Sequence, residues 1–382
     1  MRVVHLAAGA AGMYCGSCMQ DNRLAATLIR QGHDVVLLPL YTPLRTDETD
    51  VSTPRILYGG INVYLQQSTT LFRHTPRFLD RLLDTRPLLQ LAGRFAGSTS
   101  PQALGEMTAS VLRGPAGRQQ KELARLITAL HELQPNIVHL PNLMFAGVAQ
   151  SLRDALDVPI VCNLAGEDVF LDELPDPHRT RVFQLIREHA LHVDAFIAPT
   201  RYYAQHAKSH FNLPAERVHS VPMGIHADDF TATAQPPSSP PAIGFLAHLC
   251  PAKGLLPLID TCARLQADGH NFRLRAAGYR GPADADYLRQ VAHALRQNGL
   301  DDRYKDVGEV DRAGKRAFLH TLHVLSVPTT YRESKGYYIL EALAAGVPVV
   351  QPNHGAFPEL IDATGGGLLF EPGNTEDHAR TL

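Results

Sequence analysis

Short apolar runs and helix-periodic stretches alternate along most of this chain. Val3 to Ala8 is the first run, followed by Gly9, Gly12 and Gly16. Asp21 to Gln31 then reads as a helix with Leu24, Leu28 and Ile29 on one face. Gly32 ends it, and Val35 to Leu40 is a second apolar run. Strand, glycine loop, helix and strand within about forty residues make a βαβ unit. The alternation recurs, with helices expected over Lys121–Leu133, Met144–Leu156, Val182–Ala190 and Tyr202–Phe211. Strands are expected over Ile137–Leu140, Pro159–Leu164, Ala195–Ala198 and Val218–Val221. This pattern predicts a parallel sheet covered on both faces.

The pattern breaks at Thr231–Pro241, TATAQPPSSPP, where few side chains can pack and an interdomain linker is expected. A second series follows. Its strands are Ile243–Leu246, Phe272–Ala276, Tyr304–Val307, His323–Val327 and Val347–Gln351. Its helices are Leu255–Gln266, Ala285–Gln297, Ala313–Leu322 and Tyr337–Ala345. The expected fold class is α/β, with two Rossmann-like doubly wound domains facing across a cleft. The domains are residues 1–230 and 242–382, joined by the linker 231–241. Such an arrangement places a ligand in the crevice, at the carboxyl ends of the strands.

Residues 67–100 depart from the alternation. Leucines and phenylalanines mix there with Arg73, Arg77, Arg81, Arg86 and Arg94. A basic amphipathic stretch of this kind either packs on the first domain as a helical pair or lies on an anionic membrane surface.

Composition narrows the class. A chain of 382 residues calls for about two domains. A formal net charge of −2 gives no basic excess to argue for a nucleic-acid partner, and 45% hydrophobic residues suit a globular enzyme. The five cysteines are too few and too scattered for a disulfide framework. Met1 to Gly12 suits a first strand and its loop better than a signal peptide, and no run approaches the roughly 18 apolar residues of a membrane helix. A cytoplasmic location is the default expectation, with contact at the inner membrane face if residues 67–100 lie on lipid.

The chemistry concentrates at residues 333–350. Glu333 and Glu341 stand before and inside an expected helix whose start is marked by Gly336, and a Val-rich strand follows. Helix N-termini favour anions through their unpaired N–H groups and positive dipole end. Ionised carboxylates on either side suit sugar hydroxyls. Phosphate on the N–H groups of Gly336, Tyr337 and Tyr338, with hydroxyls on the glutamates, describes a nucleotide-sugar pocket. No Asp-x-Asp metal motif accompanies it in this half, so no metal and no cofactor is expected beyond the nucleotide diphosphate sugar as co-substrate.

These residues resemble the E-x7-E signature of the retaining glycosyltransferases of family 4, which have the GT-B fold. Other segments resemble the family in order along the chain: Gly32-His33-Asp34-Val35, Val221-Pro222-Met223-Gly224-Ile225 with Phe230, Leu249 to Gly254, Val307-Gly308-Glu309-Val310, Ala356 to Ile361 and Gly366 to Phe370. The resemblance implies transfer of a hexosyl group from a nucleotide diphosphate sugar to a carbohydrate, lipid or small-molecule hydroxyl, with retention. It implies that Lys253 neutralises the diphosphate, Glu333 holds donor-sugar hydroxyls, Glu341 holds the ribose and Val310 lies near the base. On the acceptor side it points to Gly12 and Gly16 in the first loop. Glu167 and Asp168, at a strand end, are acceptor-hydroxyl ligands or else a surface acidic pair.

Two departures from the family pattern stand out. His248 occupies the position usually held by a phosphate-clamping arginine, and an ordinary imidazole is mostly neutral near pH 7. Lys335, beside the same helix start, is expected to supply the missing charge. Ala165 stands where many relatives carry a histidine. Another GT-B activity, epimerase or phosphorylase, or a weakly active sugar-nucleotide binder therefore stays open. His139 reads as core or cleft lining, and Cys15-Gly-Ser-Cys18 as a loop of small side chains or a redox pair. Relatives usually continue with helices beyond the position of Leu382. The early end predicts either a loosened hinge or a shortened chain.

Overall fold

The computed structural model describes residues 1–9, 15–73, 75, 101–231 and 239–382. They form two compact units, Met1–Pro222 and Met223–Leu382. Met223–Phe230, grouped with the first domain by composition, packs with the second unit. Phe230 is fully buried in that core, its carbonyl accepts from His320 Nε2 at 3.0 Å, and Asp229 pairs with Arg312.

The first unit is one parallel sheet of six strands: β1 (Arg2–Ala7), β2 (Asp34–Pro39), β3 (Ile137–Leu140), β4 (Ile160–Asn163), β5 (Ala195–Ala198) and β6 (Val218–Ser220). Their order is β2-β1-β3-β4-β5-β6. The second sheet contains β7 (Ala242–Leu246), β8 (Arg273–Ala277), β9 (Tyr304–Gly308), β10 (Val324–Leu325), β11 (Val349–Pro352) and β12 (Gly367–Phe370). Their order is β12-β11-β10-β7-β8-β9, again all parallel. Strands buried on both faces read as continuous apolar runs, which is why Val3–Ala7 and Ala242–Leu246 were legible. Each sheet builds its own core, around Phe145, Phe196 and Phe211 in the first unit and Phe230, Phe245 and Phe357 in the second. Full burial of side chains of this size stabilises by about 1.5–3 kcal/mol each.

The first helix, Gly16–Arg30, is turned away from its expected face. Leu24 and Ile29 are exposed, while Asp21, Asn22, Arg23 and Ala25 are buried. The buried polar groups all have partners. Asp21 meets His5, Asn22 brackets Thr49 and Val51, and Arg23 pairs with Glu48. Buried polar atoms are tolerated when hydrogen-bonded, so a loop returning over the helix decides its orientation here.

Of the 67–100 stretch, Gln67–Arg73 and Thr75 are described. The rest of that expectation, like Gly12, lies outside the described residues. Among the described residues no helix is long and apolar enough to cross a membrane.

Candidate functional site

In the second sheet the strand order reverses between β7 and β10. The loops leaving these two strands therefore diverge at the carboxyl edge, where open α/β sheets bind ligands. The loop after β7 carries His248, Cys250 and Lys253. The segment after β10 carries Tyr331, Glu333, Lys335 and Gly336.

Backbone contacts bring the two loops together. Thr330 N donates to Ala252 O at 3.0 Å. Gly254 has φ +81°, and a Cβ there would sit 1.9 Å from Pro328 O. Only glycine permits both the left-handed backbone and that approach. Glu333 is supported from the far side, where Ala356 N donates to Glu333 O at 2.8 Å. A Cβ on Gly355 would lie 2.6 Å from the same oxygen.

The result is a compact charged triad. Lys253 Nζ donates to Glu333 Oε2 at 2.6 Å and to the Tyr331 hydroxyl, and Tyr331 donates to Glu333 Oε2 at 2.7 Å. The ammonium lies 4.9 Å from the Tyr331 ring centre and 5.9 Å from that of Tyr338. Burial acts to raise the Glu333 pKa, but the charge and hydrogen bond of Lys253, the Tyr331 hydroxyl and the Lys335 charge outweigh it, so the carboxyl sits below its ordinary value. Burial and the Glu333 charge keep Tyr331 protonated as a donor. Tyr331 was missed in the sequence. Its only signal was its place two residues before Glu333 in a non-helical segment.

Gly336 opens the helix Tyr337–Ala344 with φ +91° and no side-chain cap. Lys335, Tyr337 and Tyr338 are all buried around this helix start. The Tyr338 hydroxyl is buried without a hydrogen-bond partner, an arrangement that costs about 1–3 kcal/mol and that a ligand oxygen would relieve. Glu341, one turn on, receives Lys315 Nζ at 2.9 Å, and both side chains are buried. Lys315 comes from the helix Arg312–Leu319 and was also missed, because nothing local joins it to a residue 26 positions away. Val310, which follows β9, is half-buried against the same core.

His248 differs from expectation. Its Nε2 meets Asp284 Oδ2 at 2.7 Å. Burial pushes the imidazole pKa down, but hydrogen bonds to Cys250 and Asp284 and their charges raise it to about 8. The ring is therefore largely protonated near pH 7, and the position usually held by an arginine keeps a positive charge.

In the first unit Glu167 is already committed. Its Oε1 accepts from Leu143 N at 2.9 Å and its Oε2 from Ala165 N at 2.6 Å, so the buried carboxylate ties two loops together. Burial raises its pKa despite these bonds. Asp168 accepts from Tyr203 at 2.7 Å and faces His206 Nε2 at 3.0 Å. Neither carboxylate is a bare surface group. His139 is core: it hydrogen-bonds His5 and Asn163, and burial with the His5 charge holds its pKa well down. Gly16 is the first residue of its helix. Among the described residues no group of three or more His, Cys, Asp or Glu side chains gathers to hold a metal ion.

Residues 240–382 match the family model of the glycosyl transferases group 1, and residues 106–229 match that of glycosyltransferase family 4. The chain belongs to the family 4 glycosyltransferases. It is similar to the amylovoran biosynthesis glycosyltransferase AmsK of Erwinia amylovora, 27% identical over 254 residues that cover 64% of this chain and 60% of that relative. The chain thus spans less than two thirds of that protein's length. Among solved structures it shares its fold with sucrose-phosphate synthase of Thermosynechococcus elongatus (TM-score 0.70, 16% identity, covering 100% of this chain and 88% of the other). It shares it also with HepE of Anabaena solved with UDP (TM-score 0.67, 17% identity, 100% and 88%). Lys253, Glu333 and Glu341 all lie inside the region that the group 1 model matches.

Proposed function

We propose that this family 4 glycosyltransferase moves a hexosyl group from a nucleotide diphosphate sugar to an acceptor hydroxyl, with retention and without a metal ion. The second unit takes the donor and the first the acceptor. The observation that carries the reading is the Lys253–Glu333–Tyr331 triad at the β7/β10 switch point, beside the helix start at Gly336. The HepE fold neighbour, solved with UDP, supports a nucleotide at such a site.

Two of the three ammonium N–H groups of Lys253 go to Tyr331 and Glu333, and the third serves a diphosphate oxygen. Lys335 and protonated His248 add charge, and the helix start adds backbone donors. Negative charge grows on the departing phosphate in the transition state, so preorganised cations there lower the barrier. They supply the role a metal would otherwise fill. Glu333 stays ionised and accepts from donor-sugar hydroxyls. Glu341 accepts from the ribose while Lys315 compensates its charge. The departing phosphate takes the acceptor proton on the face it leaves, which yields retention.

The test is NMR of the product formed from UDP-, GDP- and ADP-hexoses with added acceptors in the presence of EDTA. The expected product keeps the donor's anomeric configuration. An inverted product, activity lost to the chelator, or donor isomerisation without acceptor would overturn the reading.

A further inference from the structure

Cys15 and Cys18 have no part in the proposed transfer. Cys15 is the N-cap of the helix Gly16–Arg30 and Cys18 stands in its first turn. The Cys15 carbonyl accepts from Met19 N at 2.9 Å, so the helical turn is already formed at Cys15. Cα atoms three residues apart on such a turn are about 5 Å apart, inside the roughly 4.4–6.8 Å that a disulfide spans. The two thiols share one small apolar cluster with Ala7, Ala25, Leu37 and Leu44. Cys18 is buried and Cys15 half-exposed. A thiol at a helix N-terminus is stabilised as thiolate and is the more reactive for it.

We infer that Cys15 and Cys18 are a reversible dithiol–disulfide pair, with Cys15 as attacking and Cys18 as resolving thiol. The oxidant is a low-molecular-weight disulfide. The Cys15 thiolate attacks one of its sulfurs, forming a mixed disulfide and releasing one thiolate, which takes up the Cys15 proton. Cys18 then attacks the Cys15 sulfur and forms the internal bond. The second small thiolate leaves with the Cys18 proton. Two protein thiols and one disulfide become one protein disulfide and two small thiols, with no further reactant. The interaction that raises Cys18 most is with the Cys15 thiol, followed by burial, so Cys18 stays protonated until Cys15 has reacted. The bond would tie the helix start at the carboxyl end of β1, next to the β1/β3 switch point of the first sheet.

Peptide mass mapping of the full chain after treatment with oxidised glutathione tests this directly and does not depend on transferase activity. The wild type should lose two hydrogens within the Cys15–Cys18 peptide and regain them with dithiothreitol. Cys18→Ser should instead keep a glutathione adduct on Cys15, and Cys15→Ser should carry no adduct on the buried Cys18. Cys250, also half-exposed, is the internal comparison, and its glutathione should remain as an adduct. Circular dichroism of both variants checks that they fold. A wild type that keeps both thiols reduced, or carries glutathione at Cys15 without closing the internal bond, overturns the proposal.

Discussion

Lys253 Nζ stands 2.6 Å from Glu333 Oε2, joining residues 80 positions apart. Both side chains are mostly buried, so each neutralises a charge that water reaches poorly. Lys253→Met should destabilise the second unit by about 3 kcal/mol, because buried Glu333 loses the ammonium that neutralises it. It should also lower kcat/KM by more than that loss predicts at temperatures where the variant is folded. Denaturant titration and steady-state kinetics on the same preparation separate the two effects. Glu333→Gln keeps the shape and should lower kcat more than it weakens donor binding. Lys335→Ala should cost at least tenfold in kcat/KM, about 1.4 kcal/mol.

Glu341 and Lys315 form the second buried pair. Glu341→Ala should weaken donor binding by about 1.5–3 kcal/mol, since ribose hydroxyls lose a charged acceptor. It should also lower stability, because buried Lys315 loses this carboxylate. A Lys315→Met, Glu341→Leu double variant should recover the stability and not the donor affinity. Calorimetric binding and urea denaturation of the three proteins check the split. Equal recovery of both properties would remove Glu341 from the donor site.

The charge on His248 sets a pH dependence. Its folded value of about 8 exceeds the ordinary value near 6.5, so its contribution to stability is complete below about 6.5 and is lost as pH rises through 8. Donor affinity should follow the same direction, holding through neutrality and weakening as pH passes about 8. His248→Arg should flatten the profile, and Asp284→Asn should move its midpoint down. Donor titrations from pH 6 to 9 are the measurement; a profile that His248→Arg leaves unchanged would make the imidazole a bystander. The ordinary imidazole assumed from sequence placed this loss lower, because Asp284 lies 36 residues away and its contact has no local signature.

His378 predicts acid sensitivity. It is buried between Thr261 and Ser326, stacks 3.9 Å from the Phe370 ring, and burial lowers its pKa to about 4. The unfolded chain binds this proton from about pH 6.5 downward and the folded chain only near 4, so stability falls as pH drops across that interval. The loss is about 3 kcal/mol. His378→Gln should flatten that part of a denaturation-versus-pH curve.

The sequence was most readable where local pattern decides structure. β3, β5 and the helix Ala285–Gln297 appear with the residues their apolar periodicity predicts. That Lys253-Gly254 lies in a loop after a strand and Glu333 before a helix was readable, because both placements follow from local pattern. What escaped depends on distant partners. Asp21, Asn22 and Arg23 turn inward because His5 and the 48–51 loop satisfy them, which reverses the face expected for the first helix. Tyr331, Lys315 and Asp284 enter the site only through contacts made after folding. Glu167 looked like a ligand at a strand end, yet its oxygens serve Leu143 and Ala165.

The central claim is that the β7/β10 switch point binds a nucleotide diphosphate through Lys253 and its neighbours. Thermal denaturation with UDP, GDP, ADP and their hexose derivatives tests it most directly. A ligand at 100 times its Kd adds about 2.7 kcal/mol to folding stability. At least one nucleotide should raise the Tm of the wild type, and a Lys253→Met, Glu333→Leu double variant, which removes both members of that ion pair, should fold and lose that rise. No shift with any nucleotide, or an undiminished shift in the double variant, would contradict the account.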